Sequence, residues 1–126
     1  MLLGIPKELA SGENRVAIIP SDVKKLVRAG AVVQIEAGMG LGSGYSDAEY
    51  VDAGASVVED RAAIFAAADI VLRISKPTLE EIKQLKAGSI HISYLDPFNE
   101  HDLIKAFRDQ NVTAISMEMI PRSTRS

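Results

Sequence analysis

Ile70-Val71-Leu72-Arg73-Ile74-Ser75-Lys76-Pro77-Thr78-Leu79-Glu80-Glu81 decides the fold of this chain. Its first five residues form a nearly unbroken apolar run, which suits a strand buried on both faces. Pro77 ends that strand, and Thr78 with Glu81 three residues later makes a capping box for a helix over 79–85. A doubly covered strand that feeds a capped helix is the unit of an α/β sheet.

Working outward in the C-terminal direction, Gly88 closes this helix and residues 90–95 alternate as a strand. Asp96-Pro97 breaks it. A helix over 99–110 is expected to bury Leu103, Ile104 and Phe107, and residues 112–119 return as a last strand before Pro121. Toward the N-terminus, Asp60 caps an alanine-rich helix over 61–67, preceded by a short strand over 55–58. Ser46 and Asp47 open a brief helix that ends near Gly54. A strand over 32–37 follows a helix capped by Ser21, in which Val23, Leu26 and Val27 recur at helical spacing and Gly30 sits where a helix end favours positive φ. Residues 16–19 are a further short apolar segment after a polar loop over 7–15, and residues 2–5 form the first strand, closed by Pro6. Short apolar runs alternating with amphipathic stretches imply a doubly wound, mostly parallel sheet of Rossmann-like or flavodoxin-like type.

A chain of 126 residues with 47% hydrophobic content can bury one core, so a single domain is expected. Fourteen basic against 17 acidic side chains leave a charge of −3, which gives no electrostatic footprint for nucleic acid. The absence of cysteine excludes disulfides and thiolate metal sites, and His91 and His101 cannot cage a metal without distant carboxylates, so no metal is expected. The apolar start is too short for a signal peptide, and no stretch approaches the roughly 20 apolar residues that cross a bilayer. The expectation is a soluble, cytoplasmic protein.

Gly38-Met39-Gly40-Leu41-Gly42-Ser43-Gly44 follows a strand and precedes a helix, with Glu59 about 20 residues on, so it mimics a dinucleotide fingerprint. In a true fingerprint the glycines open the helix directly, and its first amides meet the pyrophosphate. Here Tyr45-Ser46-Asp47 intervene, and Asp47 would occupy the anion's place, so a turn is the stronger reading and a phosphate cradle the weaker. Arg15, read as standing at a strand entrance, is placed to grip a substrate carboxylate in bidentate fashion, or to pair structurally with Glu8 or Glu13. Lys76, at a strand's carboxyl end, reads first as a snorkelling residue and second as a lysine that desolvation makes useful, His91 as a satisfied core or sheet-end residue, and His101 as part of the first turn of an exposed helix. In the tail, Ile115, Met117, Met119 and Ile120 suggest a strand edge that delivers Arg122 and Arg125 to the carboxyl end of the sheet, where open α/β folds bind ligands. The chain reads as cut just beyond that point.

Gly4-Ile5-Pro6-Lys7-Glu8, Glu13-Asn14-Arg15-Val16-Ala17-Ile18-Ile19-Pro20, Glu36-Ala37-Gly38-Met39-Gly40, Ala68-Asp69-Ile70-Val71-Leu72 and Met117-Glu118-Met119-Ile120-Pro121-Arg122, in this order and spacing, resemble the N-terminal domain of the alanine dehydrogenase and proton-translocating nicotinamide nucleotide transhydrogenase family. The likeness spans the whole chain. The terminal Ile-Pro-Arg is most similar to the transhydrogenase alpha subunit. That resemblance implies hydride transfer between NADH and NADP, coupled to proton movement by membrane subunits, with NAD(H) held by this soluble subunit. It further implies a homodimer on the cytoplasmic side, peripheral to the inner membrane through its partners. Arg122 would begin the loop that contacts the nicotinamide, with Arg125 in the same segment, and no catalytic residue is assigned. The glycine fingerprint belongs to a downstream NAD-binding domain in that family, so residues 1–126 would form only one wall of the cleft and bind NAD weakly or undetectably alone.

The alanine dehydrogenase branch implies a substrate-binding role for Arg15. It also implies a lysine two residues before the proline that ends the 70–74 strand, and a histidine just after the next strand. This chain has Ser75 and Asp96 there, and Lys76 is one register off. A serine hydroxyl supplies no positive charge to a keto acid and an aspartate repels its carboxylate. A third expectation is a noncatalytic module that associates with partner subunits.

Overall fold

The structure, a computed structural model, describes residues 1–10 and 12–120. Six strands, β1 (Leu2–Ile5), β2 (Val32–Glu36), β3 (Ser56–Val58), β4 (Ile70–Ser75), β5 (Ile90–Tyr94) and β6 (Thr113–Ser116), form one sheet in the order β3-β2-β1-β4-β5-β6. Every pairing is parallel, so the sheet is wholly rather than mostly parallel. Five helices connect the strands: α1 (Pro20–Arg28), α2 (Asp47–Asp52), α3 (Arg61–Ala67), α4 (Leu79–Gln84) and α5 (His101–Asp109). The order reverses at β1, which lies between β2 and β4, and a crevice opens outside the carboxyl ends of the strands at such a reversal. Among the described residues no helix is long and apolar enough to cross a membrane.

Each face of the sheet has its own core. Leu3, Ile5, Val33 and Ile35 pack with Val23 of α1 and Tyr50 of α2, while Val71 packs with Phe65 of α3, Ile82 of α4 and Phe107 of α5. β4 serves both, since Val71 belongs to the second core and Ile70 and Leu72 pack against the first, as its apolar run predicts. α3 lies so close to β1 that a Cβ built on Gly4 would come 2.6 Å from Ile64 Cγ2 and 2.9 Å from Ala68 Cβ. Any side chain there would force the helix off the sheet. The helix starts were legible in most cases: Ser46 with Glu49 and Thr78 with Glu81 form capping boxes, and the Asp60 carboxylate accepts from the Ala62 and Ala63 amides.

Several local expectations are corrected. α1 starts at Pro20, with Ile19 rather than Ser21 at the cap and the Asp22 carboxylate accepting from the Ile19 amide at 3.4 Å. Proline at the first position of a helix loses no hydrogen bond and has φ already set, so it outcompetes the serine. Residues 16–19 are not a strand, so Arg15 is not at a strand entrance; the Ile18 carbonyl accepts instead from the Tyr50 hydroxyl at 2.8 Å. Burial pushes that phenol up to about 12. Ile104 is 38% exposed, while Leu103 and Phe107 carry the buried face of α5. β6 ends at Ser116, and Met117–Met119 is a single 3₁₀ turn. The Glu118 carboxylate accepts from the Ser116 hydroxyl and from the Asp96 amide, which turns the chain away from the ladder. Arg122 and Arg125 lie outside the described residues.

Candidate functional site

A cleft of about 500 Å³ opens at the carboxyl end of the sheet. Its floor is the end of β4 (Leu72, Arg73, Ile74), one wall carries Tyr94 from the end of β5 and Met117, and the opposite wall is Arg15, Val16, Ala17 and Ile19 with Tyr45 and Ser43. The chain reaches this place because β1 ends at Ile5 and its following loop turns across the sheet's top edge. Glu8 fixes that loop. Its carboxylate accepts from the Ile74 amide at 2.7 Å, the Ser75 amide at 3.0 Å and the Ser75 hydroxyl at 2.6 Å, closing the top of the β1–β4 pairing just where strand order reverses. Removing this acceptor in Glu8→Ala leaves the Ile74 amide of the cleft floor and the adjoining Ser75 amide without a partner. The expected cost is about 2 kcal/mol, seen as a lower denaturant midpoint together with faster amide exchange at Ile74 and Ser75; unchanged exchange there would contradict this role.

Arg15 reaches the cleft mouth with a side chain 70% exposed, beside Glu13 at 15%. Glu13 Oε1 accepts from Arg15 Nε at 3.0 Å and from the Arg15 amide at 2.9 Å, and Oε2 accepts from NH2 at 3.0 Å. This side-chain hydrogen bond holds the Glu13 carboxyl below its ordinary range and raises the Arg15 guanidinium above its own. Of the two partners proposed from sequence, Glu13 is the direct one; Glu8 acts on Arg15 only through its charge.

Behind the floor lies a run of charges that sequence reasoning did not anticipate. Arg73 is 4% exposed and donates from NH1 to Glu81 Oε1 at 3.1 Å, while Glu81 Oε2 receives both Nε and NH2 of Arg61 at 3.0 and 2.9 Å. Arg61 NH1 in turn reaches Glu36 at 2.6 Å and the Lys7 carbonyl at 2.7 Å. Burial by itself would raise the Glu81 carboxyl, but the Thr78 amide and the two guanidiniums prevail and lower it; burial lowers the Arg73 guanidinium. The only sequence signal was an arginine inside an otherwise apolar strand. Its meaning depended on a glutamate that the sequence already assigned to a helix cap. A larger hollow of about 660 Å³ borders this network, but Arg61, Arg73 and Lys76 on its walls are all paired, Lys76 with Glu100 at 3.1 Å.

The remaining expectations resolve as follows. The glycine-rich segment 38–44 is a turn containing a 3₁₀ element, Leu41–Ser43, and the Asp47 carboxylate accepts from the Gly38 amide at 2.9 and 3.2 Å. Asp47 thus fills the place that an anion would take, and Gly38 adopts φ 79°, which a side chain would strain. His91 is fully buried, but only half satisfied: Nε2 lies 3.0 Å from Ser93 Oγ, and among the described residues Nδ1 has no partner. His101 stands in the first turn of α5 and is exposed. Ser75 is bound to Glu8, and Asp96, at φ 53°, accepts from Asn99 at 3.0 and 3.2 Å, so neither position offers a cation.

The model of the alanine dehydrogenase/PNT N-terminal domain matches residues 4–126. The chain belongs to that family. Alanine dehydrogenase of Methanococcus maripaludis is 40% identical over the whole chain, which covers 34% of that protein. NAD(P) transhydrogenase subunit alpha of Cereibacter sphaeroides is 36% identical over the whole chain, which covers 24% of it. A transhydrogenase structure from Sinorhizobium meliloti superposes with a TM-score of 0.90 at 38% identity, over 98% of this chain and 37% of that one. An L-alanine dehydrogenase structure also gives 0.90, at 32% identity, over 100% and 35%. The chain therefore spans between about a quarter and just over a third of these relatives. Members of the alanine dehydrogenase/PNT family are oxidoreductases in both branches, and overall similarity does not separate the branches here.

Proposed function

We propose that this alanine dehydrogenase/PNT domain is the first part of the NAD(H)-binding alpha subunit of a proton-translocating NAD(P) transhydrogenase. It forms one wall of a nicotinamide cleft whose other wall, with the glycine fingerprint, belongs to a downstream domain. The carrying observation is the chemistry of two positions at the sheet's carboxyl end. Ser75 gives its hydroxyl to Glu8, and Asp96 is an anion held by Asn99. The resemblance puts lysine and histidine there in the acid-binding dehydrogenases, and an acid entering this cleft would meet Arg15 already paired with Glu13. A hydride exchange between two nicotinamides needs no such cations. Arg122 and Arg125 complete the proposal as cofactor-contacting residues, with a homodimer and membrane subunits as partners on the cytoplasmic side.

The test uses the full-length gene product with its membrane subunits. NADPH-dependent reduction of an NAD analogue is expected, with no alanine-dependent reduction of NAD; the reverse pattern would reject this reading. A second reading, the N-terminal substrate domain of an alanine dehydrogenase, draws on Arg15 at the cleft mouth and on the 40% identity to the M. maripaludis enzyme. It predicts that Ser75→Lys with Asp96→His raises pyruvate-dependent NADH oxidation by the full-length protein.

A further inference from the structure

The ladder between β5 and β6 ends with Ser93 opposite Ser116. Tyr94 and Met117, which together form one wall of the cleft, therefore stand one residue beyond the last paired positions. One side chain spans the gap. Glu118 Oε2 accepts from the Asp96 amide at 2.9 Å, and its Oε1 accepts from the buried Ser116 hydroxyl. Among the described residues, no other side-chain hydrogen bond joins residues 94–100 to residues 117–120. Asp96 in turn anchors the rim. Its carbonyl accepts from the amides of Asn99 at 3.1 Å and Glu100 at 2.9 Å, its carboxylate accepts from Asn99, and Glu100 reaches Lys76 beside the end of β4 at 3.1 Å. Asp96 also holds φ 53°, a left-handed conformation that a residue with a side chain keeps only where its surroundings impose it.

We infer that Glu118 is a positioning residue of the cleft: its carboxylate fastens the segment that leaves β6 to the turn that follows β5, so that Tyr94 and Met117 present one fixed wall to a nicotinamide cofactor and the chain passes Ile120 in a single direction. This rests on the two-walled NAD(H) cleft proposed above. Without the fastening, the wall samples other positions, and the apparent affinity for a cofactor falls with the fraction of molecules that hold the competent one. The Ser116 hydroxyl keeps the Glu118 carboxyl below its ordinary range, so both oxygens are acceptors at neutral pH. Reach matters here more than charge. A glutamine has the same length, keeps an oxygen for the Asp96 amide and donates from its amide nitrogen to Ser116 Oγ, whereas Glu118→Asp retains the charge but is one methylene too short to span both partners.

The test follows NADH fluorescence on titration into the full-length gene product, with amide exchange at Asp96 measured in the same samples. Glu118→Ala and Glu118→Asp are expected to raise the NADH dissociation constant about five-fold, the bias that one net hydrogen bond places on such an equilibrium, and to speed exchange at Asp96. Glu118→Gln is expected to retain the wild-type affinity and exchange. Faster exchange at Asp96 with unchanged NADH affinity would reduce Glu118 to a purely structural bond and overturn the inference. Equal losses in Glu118→Gln and Glu118→Ala, or a wild type that binds no NADH, would overturn it as well. Weaker NADH binding by Glu118→Ala alongside failed hydride exchange by the wild type would reject the transhydrogenase reading and leave Glu118's role standing; hydride exchange by the wild type with unaltered affinity in Glu118→Ala would do the opposite.

Discussion

Glu81→Ala is expected to lower the unfolding free energy by about 3–5 kcal/mol, the range for removing one partner of a buried ion pair. Arg73, 4% exposed, would keep its charge and lose its carboxylate, and its Nε already lacks a partner among the described residues. Arg61 would retain Glu36 and the Lys7 carbonyl, so the damage concentrates under α4. The Thr78 amide would also lose the acceptor that closes its capping box. Urea denaturation checks the size. The informative control is Arg73→Met combined with Glu81→Leu, which removes both charges and is expected to recover much of the loss, because the desolvation penalty disappears with them. A single-variant loss under about 1 kcal/mol would show that Arg73 finds another partner.

Acid destabilisation driven by His91 is the second large effect. Burial, reinforced by the nearby Arg73 charge and opposed by Glu81, pushes this imidazole down to about 3. In the unfolded chain it titrates near the ordinary value of 6.5. Below that pH the unfolded state binds a proton that the folded state refuses, so stability present above 6.5 is lost as pH falls toward 3. The slope approaches about 1.4 kcal/mol per pH unit, which amounts to about 2 kcal/mol by pH 5, above the range where carboxylates take up protons. Glu81 adds a loss of the same sign lower still, since its carboxyl is held down in the fold. His91→Leu is expected to flatten stability between pH 6.5 and 5. An equal slope in wild type and variant would remove His91 as the cause. Its ring packs against Phe107 at 5.0 Å between centroids, so the variant also tests whether an apolar side chain is tolerated there.

The same residues explain where reading the chain succeeded. Glu81 was recognisable as a helix cap because Thr78 lies three residues before it, a relation contained within one turn. Its second task, neutralising Arg73 and Arg61, joins α4 to β4 and α3, 8 and 20 residues away, and no local pattern encodes that meeting. Glu8 follows the same logic at a separation of 66 and 67 residues. Ser21 and the 112–119 run mark the opposite failure: a plausible local rule was displaced by Pro20 in one case and by Glu118 reaching back to Asp96 in the other.

By itself the amino-acid order determined the α/β class and the sites of five helices and six strands to within a few residues, with residues 16–19 over-read as a further strand, and it favoured a turn over a phosphate cradle in the glycine-rich segment. These follow from periodicity, caps and side-chain chemistry, whose range is a turn or two of chain. Only the tertiary structure decided that β1 lies at the reversal of strand order, that Glu8 closes the floor of the cleft, and that Arg73 and His91 are shut in beneath α4 and α5. Those outcomes depend on which distant strands become neighbours. Burial then fixes the charge state and partners of a side chain after its position has been set, so they are properties of the packed sheet rather than of any segment within it.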